Sequence, residues 1–136
     1  MKTIVVYYSY SGHTRAIAYK LATEESYDIV EIKDEARPGL FKALIKGCPY
    51  AMRGKAWPIL PLSADLSQYD RLIMISPIWA GNAPPAFNAA LEKLPEGKTI
   101  SVKMVSSSGK SKSKIKIENT VKAKKGVLES YDNIRG

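Results

Sequence analysis

Cysteine and histidine are almost absent from this sequence of 136 residues, since each occurs once. A single cysteine, Cys48, excludes a disulfide framework and any cysteine-based zinc finger. A single histidine, His13, excludes the HExxH metalloproteases and argues against a histidine-rich metal site. We therefore predict no metal site and assign no catalytic residue.

Long hydrophobic runs are also missing. None approaches the roughly 20 residues that a membrane helix needs, and the apolar run at residues 4–8 is too short for a secretory signal. The hydrophobic fraction is 45% and the charged fraction is 25%, which is typical of a globular domain. We expect a single domain over residues 1–136, in the cytoplasm and without a membrane partner.

Acidic residues are scarce in one region where lysine is abundant. The net charge of the chain is +8, and residues 98–125 (the lysine segment) hold nine lysines and one acid, Glu118. This segment therefore accounts for the whole excess charge. Lysine without arginine or interleaved aromatic residues is poorly suited to reading bases and phosphates, so we predict no nucleic-acid partner.

Apolar runs of strand length alternate with stretches of helical periodicity. Strands are predicted over residues 3–8, 27–32, 71–76, 99–105 and 127–131. Helices are predicted over residues 12–23, 40–45, 85–94 and around 114–125, although residues 114–117 also alternate like a strand. Because this alternation requires parallel pairing with right-handed crossovers, it predicts a three-layer α/β fold with a doubly wound, parallel, five-stranded sheet.

Ligands of such sheets bind beyond the carboxyl ends of the strands. Directly after the first predicted strand, at a predicted helix start, come Ser9, Ser11, Gly12, His13 and Thr14. Unpaired N–H groups at a helix start attract anions, and small hydroxyls can donate to phosphate oxygens. The motif favours phosphate binding over plain helix capping, for which a single Ser or Thr suffices.

Two further loops follow the third and fourth predicted strands. Trp79 lies in the segment Pro77-Ile78-Trp79-Ala80-Gly81-Asn82, where its flat face could stack on a planar ring. The alternative is that Trp79 packs under its own loop. The segment Ser106-Ser107-Ser108-Gly109, after the fourth strand, is again rich in hydroxyls.

These residues carry a family resemblance. The motif Ser9-x-Ser11-Gly12-x-Thr14 resembles the phosphate loop of flavodoxins, and residues 77–82 resemble their isoalloxazine loop. The resemblance implies the strand order 2-1-3-4-5 and FMN as the cofactor. It implies that the phosphate contacts the loop after the first strand, at Ser9, Ser11, Gly12, His13 and Thr14. It also implies that the isoalloxazine ring lies between two further loops. The first of these comprises Pro77, Ile78, Trp79, Ala80, Gly81 and Asn82, and the second comprises Ser106, Ser107, Ser108 and Gly109.

The resemblance implies an electron-transfer flavoprotein, a redox carrier rather than a reductase with its own substrate. The lysine segment would then steer a redox partner protein with an anionic surface. Two alternatives stay open: an FMN-dependent NAD(P)H:quinone-type oxidoreductase, and a flavin-free interaction module on the same fold. Because the third loop offers no aromatic residue, one face of the ring would be open to a hydride donor or a substrate.

The last helix of such a fold has little sequence left to form it. Only residues 132–136 follow the fifth predicted strand, which is about one helical turn. We therefore expect this helix to be missing and apolar sheet to be exposed, with Tyr7 and Tyr8 as candidates for that surface. The exposed face is predicted to form a homodimer or to dock onto a larger partner.

Overall fold

The computed structural model describes residues 1–35, 39 and 43–135. Its strands are β1 Thr3–Tyr7, β2 Asp28–Glu31, β3 Arg71–Pro77, β4 Thr99–Ser106 and β5 Val127–Arg135. They form one parallel sheet in the order β2-β1-β3-β4-β5. Strands β1 and β3 occupy the centre because their large apolar side chains are buried on both faces of the sheet.

Helices cover both faces of the sheet. Their bounds are α1 His13–Glu25, α2 Cys48–Met52, α3 Pro85–Glu92 and α4 Lys114–Ala123. A π-helical turn at Ala43–Gly47 leads into α2, and a 3-10 turn at Leu66–Gln68 precedes β3. Over the described residues, no helix is long and apolar enough to cross a membrane.

The alternation of side chains along the strands divides the core into two layers. On one face of the sheet, Val5 packs with Ala18 of α1. On the other face, Val6 packs in the same cluster as Phe87 of α3 and Ile117 of α4. The predicted three-layer fold and its strand order are confirmed.

The structure settles three details of the sequence prediction. The lysine segment is helical at α4, because Ile117 and Val121, one turn apart, both reach the core. Strand β5 is longer than predicted and takes up residues 132–135, which follow the predicted strand. Pro49, which follows the predicted helix at residues 40–45, lies in the first turn of α2, where its missing N–H has no cost. The predicted helix start at residue 40 lies outside the described residues.

The surface of β4 and β5 on the α1 side is largely polar, whereas exposed apolar sheet was expected there. Arg71 pairs with Glu129 at 2.8 Å, and Lys103 pairs with Asp132 at 3.5 Å. Of the helices that the structure describes, only α1 packs on this face. Charged side chains therefore cover strands that a last helix would otherwise shield.

Tyr7 and Tyr8 were candidates for an exposed interface, and this expectation is wrong. Each side chain is 1% exposed, and the two belong to the cores on opposite faces of the sheet. The homodimer itself stays a prediction. Analytical ultracentrifugation of the full chain measures the oligomeric state that tests it.

Candidate functional site

The residues between β1 and α1 form an open, polar loop at the carboxyl edge of the sheet. Gly12, which precedes α1, has a φ of 96°, a left-handed conformation that favours glycine. Its backbone N–H donates to Ser9 Oγ at 3.0 Å, and this bond closes the loop. Ser11 and His13 are exposed, whereas Thr14 is buried.

The N-terminus of α1 is suited to an anion. None of the side chains that the structure describes caps it, so these residues do not provide the plain capping that was the alternative. Its first turn contains no acidic residue. Because the first N–H groups of a helix lack intrahelical partners and carry partial positive charge, this end can hold a group of the size and charge of a phosphate.

A tight turn after β3 presents Trp79. Its backbone N–H donates to the Asn82 carbonyl at 2.8 Å, and the Asn82 N–H donates back at 3.0 Å. Ala80 and Gly81 have φ values of 51° and 81°, the pattern of a type I′ turn. The left-handed conformation costs Ala80 roughly 1–2 kcal/mol, and the Asn82 side chain braces the turn by donating to the Ala80 carbonyl at 3.0 Å.

The ring of Trp79 lies in an aromatic cluster composed of Tyr8, Tyr10, Tyr50, Trp57 and Trp79. Three rings contact Trp79 edge-on, at centroid distances of 6.1 Å for Tyr8 and 5.7 Å for both Tyr10 and Trp57. Tyr50 in turn contacts Trp57 at 6.1 Å. Because Tyr10 belongs to the loop after β1, these contacts join that loop to the Trp79 turn.

Two residues that sequence reasoning missed hold the aromatic cluster together. The carboxylate of Asp34 accepts hydrogen bonds from Tyr8 Oη and Trp57 Nε1, both at 2.9 Å. Gly47 lies so close to Trp79 that an added Cβ would be 2.8 Å from the ring atom Cε3. Asp34 could have been found from the sequence by its position, because it follows the end of β2 by three residues and so lies at the same edge of the sheet.

The loop after β4 lies beside the Trp79 turn. Ser106 Oγ accepts a hydrogen bond from the Gly109 N–H at 3.0 Å, which closes this loop. The N–H of Lys112 donates to the Gly81 carbonyl at 2.7 Å. This second bond joins the chain after β4 to the turn after β3.

The structure therefore brings the three predicted loops to one edge of the sheet. The register pairs Tyr7 with Ile75 and Ile75 with Lys103, so β1, β3 and β4 end side by side. Of the predicted site residues, Ser11, Gly12, His13, Ala80, Ser107 and Ser108 are exposed, Thr14 is buried, and Ser9, Pro77, Ile78, Trp79, Gly81, Asn82, Ser106 and Gly109 are partly buried.

Comparison with known proteins gives structural likenesses only. No family model and no curated protein matches the chain. A flavoprotein of Lactobacillus acidophilus NCFM, crystallised in complex with FMN, is 19% identical, with 96% of this chain and 91% of that chain covered and a TM-score of 0.76. A flavoprotein candidate from Bacteroides eggerthii DSM 20697 is 21% identical over 96% and 86% of the two chains, with a TM-score of 0.79.

A flavodoxin of Streptococcus pneumoniae TIGR4 is also similar. It is 14% identical, with 100% of this chain and 86% of that chain covered and a TM-score of 0.55. The fold is flavodoxin-like. The resemblance found in the two loop motifs is therefore confirmed at the level of the fold.

Proposed function

We propose that this protein is an FMN-binding flavoprotein that carries electrons to or from a partner protein. The observation that carries the proposal is the contact between Tyr10 and Trp79, which places the loop after β1 beside the turn after β3. A helix N-terminus suited to an anion and an aromatic wall thereby lie at the edge where sheets of this kind bind ligands. The likeness to a flavoprotein crystallised with FMN supports the same cofactor.

The residues present fit the phosphate end of FMN. The N-terminus of α1 supplies backbone N–H donors, and the exposed Ser11 supplies a hydroxyl donor. Gly12 has open space around the position where a Cβ would lie, so the backbone can approach a ligand closely. These groups would fix the phosphate and so the position of the whole cofactor.

The ring end would be bounded by the Trp79 turn and the loop after β4. The aromatic cluster fixes the orientation of Trp79, and the Lys112–Gly81 hydrogen bond fixes the distance between the two loops. When bound, FMN supplies the redox chemistry, and the protein supplies binding, orientation and electrostatics. No side chain of the chain is assigned a proton transfer.

Titration of the flavin-free protein with FMN and with riboflavin tests the cofactor proposal. Because the α1 N-terminus recognises the phosphate, we expect FMN to bind about 100-fold more tightly than riboflavin, which lacks it. The measurement is quenching of flavin fluorescence, with the visible spectrum of the complex as a second readout. Equal affinities for the two ligands would contradict the assigned phosphate seat.

An electron carrier and an NAD(P)H-dependent reductase differ in whether they oxidise NAD(P)H in steady state. An FMN-dependent NAD(P)H:quinone-type oxidoreductase turns over NAD(P)H with a quinone in steady state, whereas a carrier shows almost no turnover. A carrier that uses its lysine segment also exchanges electrons with an acidic partner more slowly as salt is added, because screening weakens the steering of the encounter. We expect the carrier's behaviour in both assays.

One observation favours a second candidate, the flavin-free interaction module. Trp79 already contacts three rings of its own chain. These contacts agree with the alternative in which Trp79 packs under its own loop instead of stacking on a ligand. This candidate predicts a colourless protein that gains no visible absorbance when FMN is added. The FMN titration therefore separates the two candidates directly.

A further inference from the structure

A second concave surface lies beside the Trp79 turn, between the end of α2 and one face of α4. Its volume is about 660 Å³, within the roughly 300–1,000 Å³ that is usual for small-molecule sites. Helix α4 lines it with Lys116, Asn119, Thr120 and Ala123, whose spacing puts them on one face of the helix. We call this surface the α2–α4 groove.

The α2–α4 groove is positively charged. Arg53, Lys112 and Lys116 line it, and none of its described lining residues is acidic. Neutral polar groups complete the polar part of the wall, among them the side chain of Asn119. Three cations around one concavity attract a ligand that carries more than one negative charge.

The fold holds the ammonium of Lys116 in place and fixes the backbone of Lys112. The Lys116 ammonium donates to the Gly54 carbonyl, and the lysine chain lies over Gly54, where an added Cβ would be 2.7 Å from its Cδ. The backbone N–H of Lys112 donates to the Gly81 carbonyl at 2.7 Å. An anchored ammonium such as that of Lys116 loses less conformational freedom when it binds an anion than the ammonium of a free surface lysine does.

The charge of Lys116 is only partly compensated by the protein. Partial burial of its ammonium lowers the pKa of Lys116, and the carboxylate of Glu92 opposes that shift. A bound anion in the groove would act in the same direction as Glu92 and favour the charged lysine. An anionic ligand would therefore complete the groove electrostatically.

The same groove carries exposed apolar side chains. Met52 is 65% exposed and Ile115 is 74% exposed, and both line the groove. Large apolar side chains next to a cationic pocket offer a surface to a ligand that joins a flat apolar group to an anion. A simple inorganic anion would leave them unused.

We propose that the α2–α4 groove binds a nucleoside diphosphate, either free or as one half of a dinucleotide. The phosphates would lie at Lys112 and Lys116, with Arg53 at the rim, and the base would lie against Met52 and Ile115. This site is distinct from the phosphate seat at the N-terminus of α1, and the proposal holds whether or not the protein carries FMN.

Calorimetric titration of the full chain with ADP tests the proposal. We expect saturable binding of ADP, no measurable binding of adenosine, and an affinity for ADP that falls about tenfold in Lys116→Gln and in Lys112→Gln. Lys114→Gln is the matched control, because Lys114 is a lysine of the same helix that does not line the groove. Circular dichroism verifies that each variant is folded, and Arg53→Gln, at an exposed position, repeats the test without touching Lys116.

Two further arms identify the ligand. Met52→Ser is expected to weaken ADP binding but not the binding of inorganic pyrophosphate, since only ADP has a base to place there. NADP⁺ that binds through the same two lysines would identify a dinucleotide as the occupant, and binding of ADP without NADP⁺ would identify a free nucleotide. Both results support the proposal.

Several results would overturn it. Absence of ADP binding, equal weakening in Lys114→Gln and Lys116→Gln, or no effect of Met52→Ser on ADP would each reject a built nucleotide site. Displacement of ADP by FMN would place the nucleotide at the α1 N-terminus instead. Because the titration measures ADP binding alone, its result does not depend on whether the protein binds FMN.

Discussion

The loop after β1 and the turn after β3 lie at the same edge of the sheet but are built in opposite ways. The first is exposed at Ser11, Gly12 and His13, and no side chain in the described part of the chain caps its helix start. The second fixes Trp79 by backbone hydrogen bonds and by edge-on contacts with aromatic rings. One half of the candidate site is therefore left open to a ligand, and the other half is held by the protein itself.

This difference indicates how the two halves would divide the work of binding FMN. An open helix N-terminus contributes affinity, because its donors gain partners only when an anion arrives. A fixed aromatic wall contributes position, because its contacts exist before the ligand binds. Changes in the first half should alter affinity with little effect on stability, and changes in the second half should alter stability.

The largest effect is expected from a negative charge in the open half. Ser11→Glu should weaken FMN binding by about 100-fold, because the carboxylate repels the phosphate and competes for the α1 N-terminus. Flavin fluorescence quenching measures the affinity. Thr23→Glu is the matched control, since it adds the same charge to the exposed far end of α1, and an equal loss in both variants would contradict the assignment.

Gly47→Ala tests the fixed half. Gly47 has helical angles, φ −65° and ψ −46°. Helix propensity alone would therefore make Gly47→Ala stabilise the protein by up to about 1 kcal/mol. Because the added Cβ meets the Trp79 ring, we expect instead a loss of about 1–3 kcal/mol in the free energy of unfolding. Urea denaturation measures the change, and Gly39→Ala, with open space at its Cβ position, is the control.

A smaller effect is expected where Asp34 joins β2 to the aromatic cluster. Asp34→Asn keeps the size of the side chain but loses one of two acceptor oxygens, and should cost about 1 kcal/mol of unfolding free energy. Tryptophan fluorescence should change as well, since Trp57 loses or shares its partner. Glu35→Gln, at the neighbouring exposed position, should change neither quantity. An unchanged stability in Asp34→Asn would remove Asp34 from the account of the cluster.

The smallest effect is expected at high pH, on the α1 side of the sheet. Burial, reinforced by the carboxylate of Glu31, raises the pKa of Tyr7 above its usual value. The folded state therefore holds the phenol proton more firmly than the unfolded state, whose value is about 10. The contribution of Tyr7 to stability should stay constant below about pH 10 and fall as the pH rises above it. Tyr7→Phe should flatten that fall, and an identical slope in both proteins would contradict the assignment.

Sequence periodicity predicted most of the fold because the strands are buried on both faces and read as continuous apolar runs. It mistook the end of β5, because Asp132 and Asn133 are polar and lie on an edge strand where burial does not impose a pattern. Charge pairing across β4 and β5 was also invisible, since Lys103 and Asp132 become neighbours only through the parallel register.

The candidate site was predicted where local motifs mark strand ends, and it was missed where distant segments meet. Ser11, Gly12 and Trp79 lie next to β1 and β3, so topology alone brings them together. Asp34 and Gly47 act on Trp79 and its neighbours from segments far away in the sequence. Their roles depend on tertiary packing, which no periodicity in a single sequence encodes.

Titration of the isotope-labelled protein with FMN, followed through its backbone amide resonances, tests most directly whether the three loops hold the cofactor. We expect the largest shifts at residues 11–14, 79–82 and 106–109, because these three loops would enclose it. Shifts confined to the α2–α4 groove, or an unchanged spectrum at saturating FMN, would contradict that expectation.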